Sequence, residues 1–280
     1  MSTDATQRHE NLSRLCQQLE AHAESCGSAF PVSPLARKLS GSLFLAHSRS
    51  LEAFSRICKD GSLSSRKKLD AEGTRPLDPN CDECLLGTSD SVFLYVGPFR
   101  YPSTNCGLLF TGALEVEHRI SGIATPFDSG ALINHYFRPD SLETPQEFLA
   151  RHELPIPEHR DYLGHSMTAL FRDPLDYVAG KAPHHLAPIE LGEGVDERQW
   201  THEVRIPSQV QVRGSVHLHA VFVPLRAVAE ASIESLLGAC ERAGIETIIV
   251  NSSHDGEFQA LKDRCLVYLQ RELYSSDEAA

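Results

Sequence analysis

A chain of 280 residues, 41% of them hydrophobic and 23% charged, is long enough for one large domain or two small ones with a real core. Its 38 acidic residues against 26 basic ones leave a formal charge of -12, which excludes a protein that coats nucleic acid non-specifically but still permits a local basic groove. No apolar run reaches the roughly 18 residues of a membrane span, and the polar stretch 1–10 lacks the apolar centre of a signal peptide. The expected location is therefore cytoplasmic, or outside by an export route without such a signal.

Within residues 1–27, Leu12, Leu15, Cys16 and Leu19 fall on one stripe, which predicts an amphipathic helix added at the N-terminus. The stretch Gly27 to Ser42 carries Pro31, Pro34 and several Ser and Gly residues, and a loop is expected there. Leu43-Phe44-Leu45-Ala46-His47 is a short apolar strand ending in a histidine. Ser48 or Ser50 then caps a helix patterned by Leu51, Phe54, Ile57 and Cys58, and Gly61 closes it. Ser65 to Asp82 is charged and turn-rich, so a surface loop is predicted. Its run Arg66, Lys67 and Lys68 is either a phosphate contact or a solvated face.

Eight cysteines are scattered along a chain too long for a disulfide-stapled miniprotein, so reduced thiols are expected. Cys81-Asp82-Glu83-Cys84 forms a CxxC without a second pair at zinc-finger spacing, and no metal is assigned to it. A redox pair would call for a strand running into a helix N-terminus. Ser91 to Gly97 is a strand apolar enough to be buried on both faces, and it breaks at Gly97-Pro98-Phe99-Arg100-Tyr101-Pro102. An arginine in such a turn either grips phosphate with its planar fork or is an ordinary surface residue. Cys106 to Thr111 and Leu114 to Ile120 are expected as further strands. Thr125 to Leu132 places turn residues around Phe127 and Asp128, either lining a pocket or making a sharp turn. Pro145 to Arg151, opened by Thr144, and His159 to Phe171 are predicted helices. His135, His152, His159, His165, His184 and His185 show no HExxH spacing, and no metal is assigned to them.

After a loop from Glu190 to Gln199 comes Trp200-Thr201-His202-Glu203-Val204-Arg205-Ile206-Pro207. Val204 and Ile206 alternate with Glu203 and Arg205, which predicts a strand that Pro207 ends. Glu203 is then either a catalytic carboxylate or a charge on a solvated sheet face. His217 to Val223 is another strand, Val228 to Arg242 a helix closed by Gly244, Thr247 to Val250 a strand and His254 to Leu273 a last helix. GxGxxG, Walker, GxSxG and kinase signatures are all missing, which removes the commonest nucleotide-binding and hydrolase classes.

Three of these stretches, in this order and spacing, resemble the ADP-ribosyltransferase fold, and within it the DarT-like branch of bacterial toxins that modify nucleic acid. The first is Ala46-His47-Ser48-Arg49 running through a helix to Gly61-Ser62-Leu63-Ser64-Ser65. The second is Ser91 to Arg100. The third is Glu203-Val204-Arg205-Ile206-Pro207 followed by Ala220-Val221-Phe222-Val223-Pro224. The chain departs from the pattern in lacking a Thr before His47, in inserting Phe99 between Pro98 and Arg100, and in the stretch Thr125 to Leu132, which has no counterpart.

The resemblance implies an α/β (α+β) fold with a split, mostly antiparallel sheet and surrounding helices over residues 43–225. Residues 1–42 would be a helix-and-loop extension, and 226–280 a helix–strand–helix extension on the same domain. It implies an NAD-dependent mono-ADP-ribosyltransferase, a toxin or defence effector with NAD as co-substrate. On that pattern Glu203 is the catalytic carboxylate and Arg100 neutralises the pyrophosphate. His47, with Ser48 and Arg49, holds NAD through a ribose, and Tyr95 or Tyr101 stacks on the nicotinamide. Cleavage of the nicotinamide–ribose bond passes through an oxocarbenium-like state that a nearby carboxylate stabilises, and the same group can take the acceptor's proton. Thr201 stands where arginine-directed enzymes carry Glu or Gln, so arginine is not the expected acceptor. Nucleic acid, DNA included, is favoured over protein, and a neutralising antitoxin is an implied partner. The alternatives are an NAD glycohydrolase, an RNA 2'-phosphotransferase using Arg49 and Arg100, or a non-catalytic binding module.

Overall fold

A computed structural model describes residues 4–27, 32–74, 78–79, 81–101, 103–132, 143–187, 189, 197–252 and 256–275. Pro31, Pro102, His135, residues 190–196 of the loop before Trp200, and His254 lie outside the described residues.

The chain opens with α1 (Ala5–Cys26), capped by Asp4, whose carboxylate accepts from the Gln7 N–H, and closed by Gly27 in the left-handed region. Its buried stripe is Arg8, Asn11, Leu15, Leu19 and Ala23, with Leu12 and Cys16 only on the shoulder. Nor is the helix a mere addition. Arg8 Nη1 donates to the Gly122 carbonyl at 2.9 Å, and Asn11 Nδ2 donates to the carbonyls of Ala150 and Glu153 at 2.9 and 3.0 Å. The expected loop before Ser42 contains α2 (Pro34–Ser42). Ser33 Oγ accepts from the Ala36 N–H, and Pro34 fills a first helical position that has no intrahelical use for a donor.

β1 (Leu45–Arg49) starts two residues later than predicted and carries on past His47. α3 (Leu51–Asp60) follows as expected, with Ser50 at its N-cap and Gly61 at φ 74° after it. The predicted surface loop contains β2 (Ser62–Ser64), α4 (Arg66–Ala71, capped by Ser65) and α5 (Asp82–Leu85). On α4 the positive run is ion-paired: Arg66 with Glu83, Lys67 with Asp90, Lys68 with Glu72. β3 (Ser91–Val96) alternates half-buried and buried positions instead of being buried on both faces. β4 (Cys106–Phe110) is buried along its whole length.

The expected strand at Leu114 is instead α6 (Ala113–Glu117). Val116 points outward and Glu115 inward, where its carboxylate takes the Arg160 Nε–H at 2.9 Å. β5 (Ile123–Thr125) and α7 (Pro145–Ala150) come next, the latter opened by the reciprocal Thr144–Glu147 capping box. α8 (His159–Leu170), α9 (Pro174–Val178), β6 (Glu203–Pro207), β7 (Gln209–Gln211) and β8 (Leu218–Pro224) lead to α10 (Ala231–Ala243). β9 (Glu246–Val250) and α11 (Glu257–Ser275) end the described chain. No helix among the described residues is long and apolar enough to cross a membrane.

Seven strands form one sheet in the order β5-β6-β3-β1-β4-β8-β9, and β2 pairs with β7. β1 runs antiparallel to β3 and β4, β4 to β8, and β5 to β6; β8 and β9 are parallel. The mixed α/β class with a mostly antiparallel sheet is as expected. Two compact units can be traced. The first comprises Met1–Gly41, Ser64–Phe93 and Glu115–Ser208; the second comprises Ser42–Leu63, Leu94–Leu114 and Gln209–Ala280. In the first, Leu15, Leu19, Phe127, Tyr162, Leu163, Met167, Val204 and Ile206 are buried. In the second, Phe54, Leu108, Phe110, Phe222, Ile233, Leu236, Cys265 and Leu269 are.

Candidate active site

In the first unit, β6 pairs with β5 so that Glu203 lies opposite Thr125, and Arg205 opposite Ile123. The period of two puts Glu203 and Arg205 on one face, as predicted. That face is not solvated: Glu203 is 0% and Arg205 4% exposed, which overturns the solvated-face reading. A carboxylate taken out of water needs donors, and Ser129 supplies two. Its Oγ–H donates to Glu203 Oε1 at 2.7 Å and its N–H to Oε2 at 3.1 Å. Arg205 Nε stands 3.5 Å from Oε1, and Arg205 Nη2 donates to Glu153 Oε1 at 2.8 Å.

Ser129 begins a single 3-10 turn, residues 129–131. Asp128 opens that turn by accepting the Gly130 N–H at 2.9 Å, while its own N–H donates to the Arg198 carbonyl. The stretch Thr125 to Leu132, unplaced from sequence, is thus what clamps Glu203. Burial, then the charge of Asp128, pushes the Glu203 carboxyl up to about 8, against the pull of Arg205 and of the two Ser129 hydrogen bonds. Such a group changes protonation in the range where a general base is most effective. Thr201, two residues before it, spends its hydroxyl on the Glu197 carbonyl at 2.8 Å.

In the second unit, alternation along β1 sets His47 and Arg49 on one face and Ser48 on the other. Arg49 Nε donates to His47 Nε2 at 3.2 Å. A guanidinium can only donate, so Nε2 accepts and a neutral imidazole carries its proton on Nδ1. His47 and Ser48 are both buried. Tyr95 of β3 lies opposite Ala46, hence on the Ser48 face, away from His47. Its hydroxyl meets that of Tyr101 at 2.8 Å, with the rings 5.2 Å apart and tilted by 55°.

Arg100, expected in an open turn, is 4% exposed, and its charge acts on the buried Cys265 thiol. The neighbouring Phe99 explains the enclosure. Phe99 is 1% exposed, meets Phe222 edge-on at 5.2 Å, and lies so close over β4 that a Cβ at Gly107 would come within 2.2 Å of its ring. The residue inserted between Pro98 and Arg100 is therefore a core anchor. Among the sequence-derived candidates, the structure joins His47 to Arg49 and Tyr95 to Tyr101. Asp128, which the sequence placed in a turn or a pocket lining, borders the Glu203 face, and Ser129 and Glu153 are partners of that face that the sequence did not mark.

The chain is similar in structure to DarT. Three solved structures of Thermus sp. 2.9 DarT match it. The complex with NAD+ has a TM-score of 0.39 and covers 74% of this chain and 94% of that one. The complex with ADP-ribosylated ssDNA has a TM-score of 0.40, with 74% and 93% covered, and the complex with carba-NAD+ a TM-score of 0.36, with 74% and 94% covered. Sequence identity is 10% in each case. No protein-family model and no curated protein matches the chain. Among the described residues, no group of three or more His, Cys, Asp or Glu side chains is arranged to hold a metal ion.

Proposed function

We propose that the chain is an NAD-dependent mono-ADP-ribosyltransferase with Glu203 as its catalytic carboxylate and nucleic acid favoured over protein as the acceptor. The observation that carries this reading is Glu203 itself: a fully buried carboxyl, gripped at both oxygens by Ser129, beside Arg205, with its proton affinity raised into the neutral range. A carboxylate stripped of water interacts strongly with positive charge developing on a sugar ring, which is what cleavage of an N-glycosidic bond requires. NAD supplies the ADP-ribosyl group: its nicotinamide–ribose C–N bond breaks, nicotinamide leaves, and the acceptor atom bonds to the ribose carbon while giving up a proton. Glu203, ionised, is the residue assigned to stabilise the charge and take that proton.

For NAD itself, the residues proposed are His47, Ser48, Arg49, Tyr95 and Tyr101, with Arg100 offsetting the pyrophosphate charge. The His47–Arg49 pair fits best, because Arg49 fixes the imidazole tautomer and the two side chains share one strand face. Ser48 and Tyr95 lie on the opposite face, so their assignment rests on the sequence resemblance, as does that of Arg100. Thr201, two residues before Glu203 in place of a Glu or Gln, supports an acceptor other than arginine. A toxin or defence role with a neutralising partner belongs to the same proposal.

The test is incubation of the full chain with NAD labelled on the adenylate phosphate, beside Glu203→Gln, with DNA, RNA and a cell lysate offered separately. Label should move onto one acceptor with the wild type and not with the variant. Nicotinamide release without transfer would replace the reading with a glycohydrolase. NAD neither bound nor consumed would overturn it.

A further inference from the structure

The sequence places Cys81 and Cys84 three residues apart, and the structure turns their side chains toward each other. Cys81 occupies the N-cap of α5, and its Sγ lies 2.9 Å from Cys84 Sγ, both residues being half-exposed free thiols. Sulfurs that close need only small side-chain rotations to bond, and the CxxC spacing keeps both on a single turn of chain. We propose that Cys81 and Cys84 are a site of reversible oxidation, forming an internal disulfide by exchange with a low-molecular-weight disulfide such as oxidised glutathione.

The exchange balances within that pair of reactants. The Cys81 thiolate attacks one sulfur of the small disulfide, forms a mixed disulfide and releases one small thiol. The Cys84 thiol then loses its proton, attacks Cys81 Sγ and releases the second. Two protein thiols and one small disulfide become one protein disulfide and two small thiols; the protein is oxidised by two electrons and the small molecule reduced by two. Cys84 suits the resolving role. Its hydrogen bond with Cys81, then its burial, pushes its thiol up to about 11, so it holds its proton while Cys81 reacts.

Five of the other six cysteines compete poorly. Cys58, Cys106, Cys240 and Cys265 are buried, and burial pushes each thiol up, Cys58 and Cys265 to about 12. Cys16, half-exposed on α1, is also raised by burial. The turn carrying the pair is moored on two sides. Arg66 reaches Glu83 at 3.4 Å, and Gln146 Nε2 of α7 donates to the Leu85 carbonyl at 2.9 Å. The two sulfurs therefore start close together, and little chain freedom is lost on closure.

The experiment is to equilibrate the reduced full chain in glutathione buffers of graded oxidised-to-reduced ratio, quench by alkylation, and read intact mass and peptide maps. The wild type should lose two hydrogen atoms in mass, with the Cys81–Cys84 peptide unalkylated, and excess reduced glutathione should reverse this. Cys84→Ser, unable to resolve, should retain one glutathione on Cys81. Continued alkylation of both cysteines in the most oxidising buffer, a retained glutathione on the wild type, or a first disulfide involving Cys16 or Cys26 would each overturn the proposal. The wild-type map decides the matter even where a variant folds poorly.

Discussion

Ser129 controls the charge state of Glu203 more directly than any residue on the same strand. Its hydroxyl and its amide both donate to the carboxylate, and both hydrogen bonds favour the ionised form that electrostatic stabilisation and proton abstraction require. Replacing Ser129 by Ala removes the hydroxyl and keeps the amide. The Glu203 carboxyl should then rise further from its position near 8 by about one unit, the equivalent of one hydrogen bond to a buried group. Nicotinamide release by the wild type should increase with pH up to about 8. In Ser129→Ala the same rise should lie displaced to more alkaline pH, with activity at neutral pH lowered several-fold and recovered at high pH. A uniform loss at all pH values would assign Ser129 a purely structural part. The place of Glu203 on a strand, on one face with Arg205, was legible in the sequence because its neighbours alternate with a period of two. Ser129 was not, because it meets Glu203 across 74 residues of chain, and no local pattern marks which serine will supply that contact.

At the scale of elements, Gly107 shows how a strand is cut to fit a side chain. It is the second residue of β4, opposite Ser48 on β1 and Phe222 on β8, and the Phe99 ring occupies the space a Cβ would need. A contact of 2.2 Å against a ring in the core cannot be relieved by a flexible tip. Gly107→Ala should therefore cost about 1–3 kcal/mol as overpacking, visible in denaturant unfolding, and should be rescued in part by Phe99→Leu. If the alanine variant is as stable as the wild type, Phe99 is not seated on β4. Long periodic elements such as α1, α3, α8 and α10 were foreseeable because their apolar spacing or their caps are local. α6 was not: Leu114 and Val116 alternate like a strand, and the Arg160 Nε–H that Glu115 accepts, turned inward, comes from 45 residues away. α2 was readable in principle, since Ser33 followed by Pro34 is a cap-and-first-turn signal, but the surrounding Ser and Gly residues favour a loop on composition alone.

The molecule as a whole records its buried titratable groups in the pH dependence of its stability. His152 and His159 are enclosed as neutral rings. Burial lowers His152 to about 3 and His159 well below its ordinary 6.5, and neither ring nitrogen of His159 has a hydrogen-bond partner among the described residues. Below about pH 6.5 the unfolded chain takes up these two protons and the folded chain does not, so stability falls as pH drops toward 3. Glu203 acts in the opposite sense. Its folded value of about 8 exceeds the ordinary 4.5, so the folded chain holds an extra proton between those values and loses stability as pH rises through them. At about pH 6.5 the two histidines, half-protonated when unfolded, balance the single proton on Glu203; His165, lowered by burial, and His184, lowered by the Arg172 charge, move the balance slightly upward. Stability of the first unit should therefore peak between about pH 6.5 and 7. Trp200, the chain's one tryptophan, is buried in that unit, so its fluorescence during urea unfolding reads the quantity directly. Glu203→Gln should flatten the alkaline side up to about pH 8, and His159→Phe should soften the acid side. A wild type whose stability climbs steadily from pH 5 to pH 8 would mean that Glu203 is ionised throughout, with the pull of Arg205 and Ser129 outweighing burial and Asp128.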